Sequence, residues 1–179
     1  MQLKSQIMDS AQIERSIQRM AHEIIEQNRG LERIRLVGIR SRGVPLAERL
    51  SNYLKLISNQ EIPVGLLDIT LYRDDLSTIS HQPVIKGSQV DFDIEDSIVV
   101  LVDDVLYTGR TLRALLNELF DYGRPACVRL AVLVDRGGRE LPVAAEFAAA
   151  RIALPADLHL ALARTEAGAF HFDVKEVRA

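Results

Sequence analysis

Two consecutive carboxylates, Asp103 and Asp104, directly follow the apolar run 98–102, and the chain continues Val105, Leu106, Tyr107, Thr108, Gly109, Arg110, Thr111. An apolar strand that delivers acids to its carboxyl end places them where open α/β sheets bind ligands. The Thr-Gly turn then opens a helix, whose first N–H groups and positive dipole end suit a phosphate. Gly109 lets the backbone come close to a ligand, while Thr108 and Thr111 add hydroxyl donors. Acids beside a phosphate cradle would repel the phosphate itself. They suit ribose hydroxyls, or Mg²⁺ held through water. The plainer alternative is a pair of acids that only caps the next helix. The cations carry a second signal. Only four are lysine, and arginines crowd residues 33–42 and 136–139. The guanidinium fork matches phosphate oxygens, although a general preference for arginine would give the same bias.

These residues need elements to hold them. Asp9 or Ser10 can cap a helix running to about Asn28, because Ile13, Ile17, Met20 and Ile24 recur at helical spacing and Gly30 stops it. Residues 33–39 read as a buried strand, 40–43 as a polar turn, and 44 to about 57 as a helix that tolerates Pro45 in its first turn. Further strands are expected at 64–71, 98–102 and 128–134, with a helix at 111–122 closed by Gly123. Residues 72–97 form a loop or hairpin excursion, with Pro83 and Gly87 among scattered acids. After Pro142 the pattern weakens, leaving two short strands near 159–163 and 170–177. Strand, turn and helix in repeated order predict one α/β domain with a mainly parallel sheet.

Composition excludes other classes. The chain has 179 residues, 47% apolar and 26% charged, enough for a proper core. Disorder would need lower hydrophobicity. The longest apolar run is too short to span a bilayer, and no apolar segment follows Met1 to read as a secretory signal. The lone Cys127 allows neither an internal disulfide nor a cysteine zinc site, and its setting reads as buried packing in a cytoplasmic protein. A formal charge of −3 gives no whole-surface attraction to nucleic acid.

The segment from Val99 to Thr111 resembles the phosphoribosyl-diphosphate (PRPP) binding motif of type I phosphoribosyltransferases. Residues 67–76, 122–125 and 131–142 then resemble the PyrR family, bacterial pyrimidine regulators that are also similar to uracil phosphoribosyltransferases. The similarity runs over residues 7–142, with four motifs in the family's order. It implies a type I phosphoribosyltransferase fold with a flexible hood over about 72–97, and Mg²⁺-dependent formation of UMP and pyrophosphate from uracil and PRPP. By the same resemblance, Val105 to Thr111 hold the 5′-phosphate, and Asp103 and Asp104 take the ribose hydroxyls or the metal. Arg40, Ser41, Arg42 and Gly43 bind pyrophosphate, unless they are only a solvated surface turn. Arg73 reaches pyrophosphate from the hood, although an Arg beside two acids is also a common surface salt-bridge cluster. Asp135, Arg136 and Arg139 fall where the family places base-site and regulatory residues. Arg136 could equally pair with Asp135 or Glu140.

The resemblance also implies partners: UMP or UTP as regulators, an mRNA leader, and a second copy or more of the chain. A candidate RNA surface is Arg15, Arg19 and His22 on one face of the first helix, with Arg139 extending it, although such a triplet is also the wet face of an amphipathic helix. The alternative to an active enzyme is a nucleotide-sensing RNA attenuator with little turnover. Three departures bear on RNA. Gly138 stands where family members that bind RNA commonly carry His, Ala144 stands where they often carry Arg, and residues 149–155 replace a Gly-Lys-Asn-x-Pro-Thr-Ser run. Losing those cations lowers the local positive potential. The segment from about 143 to 179, which would line the base pocket, lies in this divergent part.

Overall fold

The computed structural model describes residues 2–69, 87–155, 157–165 and 168–176. Its first helix, α1 (Ser10–Asn28), starts where the sequence places it. Asp9 and Gln12 form a reciprocal capping box: the Gln12 N–H donates to Asp9 Oδ1 at 2.7 Å, and the Asp9 N–H to Gln12 Oε1 at 2.8 Å. The buried stripe is Ile13, Ile17, Met20, Ala21 and Ile24. The chain turns out of the helix at Arg29, one residue before Gly30, and both hold positive φ.

The strands β2 (Ile34–Ile39), β3 (Val64–Leu67), β4 (Ile98–Leu106), β5 (Cys127–Asp135) and β6 (Phe147–Arg151) form a parallel sheet in the order β3-β2-β4-β5-β6. The helices α2 (Gly43–Ser58) and α3 (Arg110–Leu119) follow β2 and β4. One apolar cluster joins α1, α2 and one face of the sheet, and a second joins α3 to the other face. The continuous apolar runs of β4 and β5 follow from this two-sided cover. The α/β domain with a mainly parallel sheet expected of the sequence is therefore present.

Several features depart from the expectation: β3 ends at Leu67, short of the expected strand over 64–71, and the sequence does not signal β6 as a strand. β4 is nine residues long, so Asp103 and Asp104 lie within the strand and Val105 and Leu106 also belong to it. A separate antiparallel sheet, β1-β8-β7, is built from β1 (Gln2–Met8), β7 (Leu158–Arg164) and β8 (Phe170–Glu176). The sequence signals β7 and β8 but not β1, whose pairing slips at Leu3/Ser5 and again at Gln6/Met8 and so lacks a clean two-residue period. α3 ends at Leu119, and the last residues of the expected helix turn toward Gly123. Cys127 is exposed, because it opens β5 at the end of the sheet opposite the acids, before the buried run begins at Leu130.

Of the expected excursion, residues 87–97 are described: Gln89 bridges back to Leu66, and Ile94 is fully buried. Tyr72 and Arg73 lie outside the described residues. Among the described residues no helix is long and apolar enough to cross a membrane.

Candidate active site

β2 and β4 are neighbours in the sheet, so the turn after β2 and the acids of β4 meet at one edge. Gly43 sets their separation. A Cβ there would lie 2.1 Å from the Val102 carbonyl oxygen and 3.2 Å from Ile39 Cβ, so only glycine lets α2 start flush against β4. The preceding turn is pinned at Arg40. Its N–H donates to the Leu67 carbonyl at 2.9 Å, and its Nε lies 3.7 Å from the buried carboxylate of Asp68. Arg42 reaches across to Asp104, with Nη1 3.3 Å from Oδ2.

The two acids brace one another through the backbone. The Asp104 N–H donates to Asp103 Oδ1 at 2.9 Å, and the Val105 N–H to Asp104 Oδ1 at 3.0 Å. Burial, and then the charge of Asp104, push the Asp103 carboxyl well above the ordinary carboxylate range, while Arg42 pulls it down. Asp103 therefore gives up its proton at a higher pH in the native chain than in the unfolded one. Folding stability falls as pH climbs from the ordinary carboxylate range to the raised value. Asp103→Asn keeps the Oδ1 acceptor and removes that loss. We expect its thermal midpoint to exceed that of the wild type at neutral pH and to match it near pH 3, in unfolding followed by circular dichroism. A midpoint below the wild type at both pH values would contradict this.

Past β4 the chain turns through Tyr107, Thr108 and Gly109 into α3. Gly109 caps the helix at φ 92°, packed so that a Cβ would meet Val143 Cγ2 at 2.6 Å. The cap therefore offers no side chain to the first-turn N–H groups, and no acid stands in that turn. The Arg110 N–H donates to Thr108 Oγ1 at 3.3 Å, and the Thr108 carbonyl accepts from Glu140 and Leu141 at 3.0 and 3.2 Å. The Arg110 guanidinium pairs with Glu140 at 2.7 Å.

After β5 the three candidate residues separate. Arg139 pairs with Asp135 and donates to the carbonyls of Leu106, Tyr107 and Val143, so both residues build the turn behind the loop. Arg136 pairs with neither Asp135 nor Glu140. Its side chain is buried, donates to the Leu158 and Pro155 carbonyls at 3.0 and 3.1 Å, and stacks 3.9 Å from the centre of the Tyr107 ring. Gly138 (φ 70°) accommodates that ring, since a Cβ there would lie 2.5 Å from it. A histidine at this position would collide with the Tyr107 ring as it stands.

These elements enclose a cleft of about 560 Å³. It brings together Arg40, Ser41 and Arg42, Asp103 and Asp104, Val105 to Gly109, Thr111 and Arg136. Gly43, Arg110, Asp135 and Arg139 support it from outside its lining. Ile39, Ile69, Leu112, Leu115 and Val132 add an aliphatic wall, and β7 adds His159 and Leu160. Sequence reasoning missed His159, a single histidine in a weakly patterned segment. Burial, and then the charges of Arg136 and Arg42, lower its pKa and favour the neutral imidazole.

The RNA candidates lie elsewhere. Arg15, Arg19 and His22 are exposed on α1, and Arg19 pairs with Glu23 and donates to the carbonyls of Ala148 and Ala149. Arg139 is drawn into its turn and does not extend that face.

A family model described as a phosphoribosyl transferase domain matches residues 4–150. A relative from Pelotomaculum thermopropionicum named bifunctional protein PyrR is 58% identical over 144 residues, 80% of each chain. One of the same name from Clostridioides difficile is 55% identical over 80% of this chain and 81% of its own. Among solved structures, a hypoxanthine-guanine phosphoribosyltransferase from Bacillus anthracis superposes with a TM-score of 0.68 at 20% identity, over 85% of this chain and 86% of that one. A hypoxanthine phosphoribosyltransferase from Trypanosoma cruzi superposes with a TM-score of 0.68 at 23% identity, over 84% and 82%. At these identities the structural likeness speaks for the fold alone.

Proposed function

The chain belongs to the PyrR family of phosphoribosyltransferase-domain proteins, and from that membership we propose that it transfers the phosphoribosyl group of PRPP to uracil. The bond from the ribose anomeric carbon to pyrophosphate breaks, a bond to a ring nitrogen of uracil forms, and UMP and pyrophosphate leave. The nitrogen gives up its proton, which leaves with the pyrophosphate or to solvent. One arrangement carries this reading: the Asp103–Asp104 pair and the glycine-capped start of α3 share a single cleft with the turn of Arg40, Ser41 and Arg42.

Each part has a task matched to its chemistry. Thr108, Gly109 and Thr111 offer hydroxyls and helix N–H groups to the 5′-phosphate. Asp103 and Asp104 accept hydrogen bonds from the ribose hydroxyls. Arg42 and the backbone of its turn hold the pyrophosphate, with Arg40 fixed by Asp68. Such a site works chiefly by positioning the reactants and stabilising the charge that develops as pyrophosphate leaves. Arg73 would join from the hood.

Two adjacent carboxylates fit a Mg²⁺ ion whose remaining ligands are water and substrate oxygens, and among the described residues no cluster of three or more His, Cys, Asp or Glu offers a fuller cage. Bound there, Mg²⁺ would offset the negative charge of the pyrophosphate group. Asp103 and Asp104 are the residues that would hold it.

The proposal is tested by incubating the purified protein with PRPP, Mg²⁺ and uracil, hypoxanthine, guanine or orotate in turn. UMP from uracil alone is the expected result. Nucleotide formed from another base in place of uracil would reassign the substrate.

The relatives' name, bifunctional, favours a second role beside the first, and we propose that it is the binding of an mRNA leader under the control of UMP or UTP, as the family resemblance implies. The exposed Arg15 and His22 are its candidate contacts. Filter retention of labelled leader RNA that strengthens with UMP would support it, and no retention at low salt would remove it. The same proposal places the protein in the cytoplasm as a single-domain homodimer or larger homo-oligomer.

A further inference from the structure

We infer that His159 hydrogen-bonds the nucleobase and helps set which base the cleft accepts. The family model stops at residue 150, so this side chain comes from the part of the chain beyond the matched segment. The inference rests on the phosphoribosyltransferase reading and deepens it.

The placement is specific. His159 lies on β7, paired with Lys175 of β8, while its neighbour Leu160 is buried in the core. His159 is exposed ahead of the buried run Leu160 to Leu162, and it lines the cleft beside Leu160. The backbone that carries it is anchored from below. Arg136, 4% exposed, donates to the carbonyls of Pro155 and Leu158, and so ties the approach to β7 to the end of β5. The stack of Arg136 on Tyr107 ties the same unit to the phosphate loop. These contacts join the approach to β7 to the loop after β4, and His159 lines the same cleft as Asp103 and Asp104.

The chemistry narrows its partner. Arg40, Arg42, Asp103 and Asp104 are charged and suit phosphates, hydroxyls and metal. The lining hydroxyls of Ser41, Thr108 and Thr111 sit on the turn after β2 and around the start of α3, where phosphate groups are proposed to bind, and Tyr107 packs its ring on Arg136. A flat, uncharged base needs a neutral donor and acceptor, and His159 is the nitrogen heterocycle among the described lining side chains. A neutral imidazole presents one N–H and one lone pair, which complement the carbonyl and N–H groups on a pyrimidine edge. Leaving such groups on the base unpaired is what separates accepted from rejected bases.

The test compares wild type, His159→Ala and His159→Gln in steady-state kinetics with base and PRPP varied separately. His159→Ala should raise KM for the base about tenfold or more and leave KM for PRPP within about twofold. His159→Gln, which keeps a donor and an acceptor, should recover part of the loss. A base KM unchanged in His159→Ala, or an equal rise in both KM values, would overturn the inference. A wild type that uses a base other than uracil, with the same His159→Ala effect on that base, would refute the uracil reading and still support His159. A wild type silent on every base would overturn both.

Discussion

Replacing Asp104 with asparagine should lower kcat/KM for PRPP by about a hundredfold while the protein stays folded. Asp104 is one of two acids able to accept from the ribose hydroxyls, and its Oδ2 lies 3.3 Å from Arg42 across the cleft. A hydrogen bond to a charged group is worth about 1.5–3 kcal/mol, so losing the charge that serves two hydroxyls removes roughly 3 kcal/mol. At about 1.4 kcal/mol per decade this is a factor of about 10². Asparagine retains the Oδ1 acceptor that the Val105 N–H uses, so the strand end keeps its local geometry. The measurement is initial-rate kinetics at varied PRPP, with circular dichroism to verify the fold. A loss smaller than about threefold would mean that Asp104 does not touch the substrate.

Gly43→Ala should be as damaging to activity and far more damaging to stability, although Gly43 offers no side chain to any ligand. The added methyl would meet the Val102 carbonyl oxygen at 2.1 Å, and a backbone carbonyl in the central strand cannot swing aside. Relief requires α2 to lift off β4, carrying Arg40, Ser41 and Arg42 away from the acids. Overpacking of this kind costs about 1–3 kcal/mol or more. A misplacement of about 1 Å at reacting groups can cost about 10² in rate. Thermal unfolding and UMP formation measured on the same preparation check both arms. Wild-type values in both would show that the close approach is not needed.

The parts of the molecule that were legible in the sequence have local signals. The α1 cap, the helical stripe that follows it, and the turn from β4 into α3 are each written within a few residues. What was illegible depends on distant partners. The apolar run of β4 stops at Val102, but its pairing continues: Asp103 faces Val132, Val105 faces Val134, and Leu106 faces Asp135. Hydrophobic periodicity cannot report a strand that goes on after its side chains turn polar. Arg136 illustrates the same limit. Acids stand near it in sequence, yet its partners are two main-chain carbonyls and a tyrosine ring from other elements. The nearby acids go to other arginines, Asp135 to Arg139 and Glu140 to Arg110. Cys127 sits before an apolar run, and only the strand's starting point shows that it meets solvent. His159 reaches the cleft from β7, a strand of the separate antiparallel sheet, and no short window contains that arrangement.

The central claim is that PRPP occupies the cleft between the Arg40–Arg42 turn and the start of α3. It is tested most directly by calorimetric titration of PRPP, with Mg²⁺ present, into wild type and Thr108→Ala. The account predicts one PRPP per chain for the wild type and an affinity about tenfold weaker for Thr108→Ala, the loss of one hydroxyl donor to a charged phosphate. Equal affinities for the two proteins would contradict it and place the phosphate elsewhere.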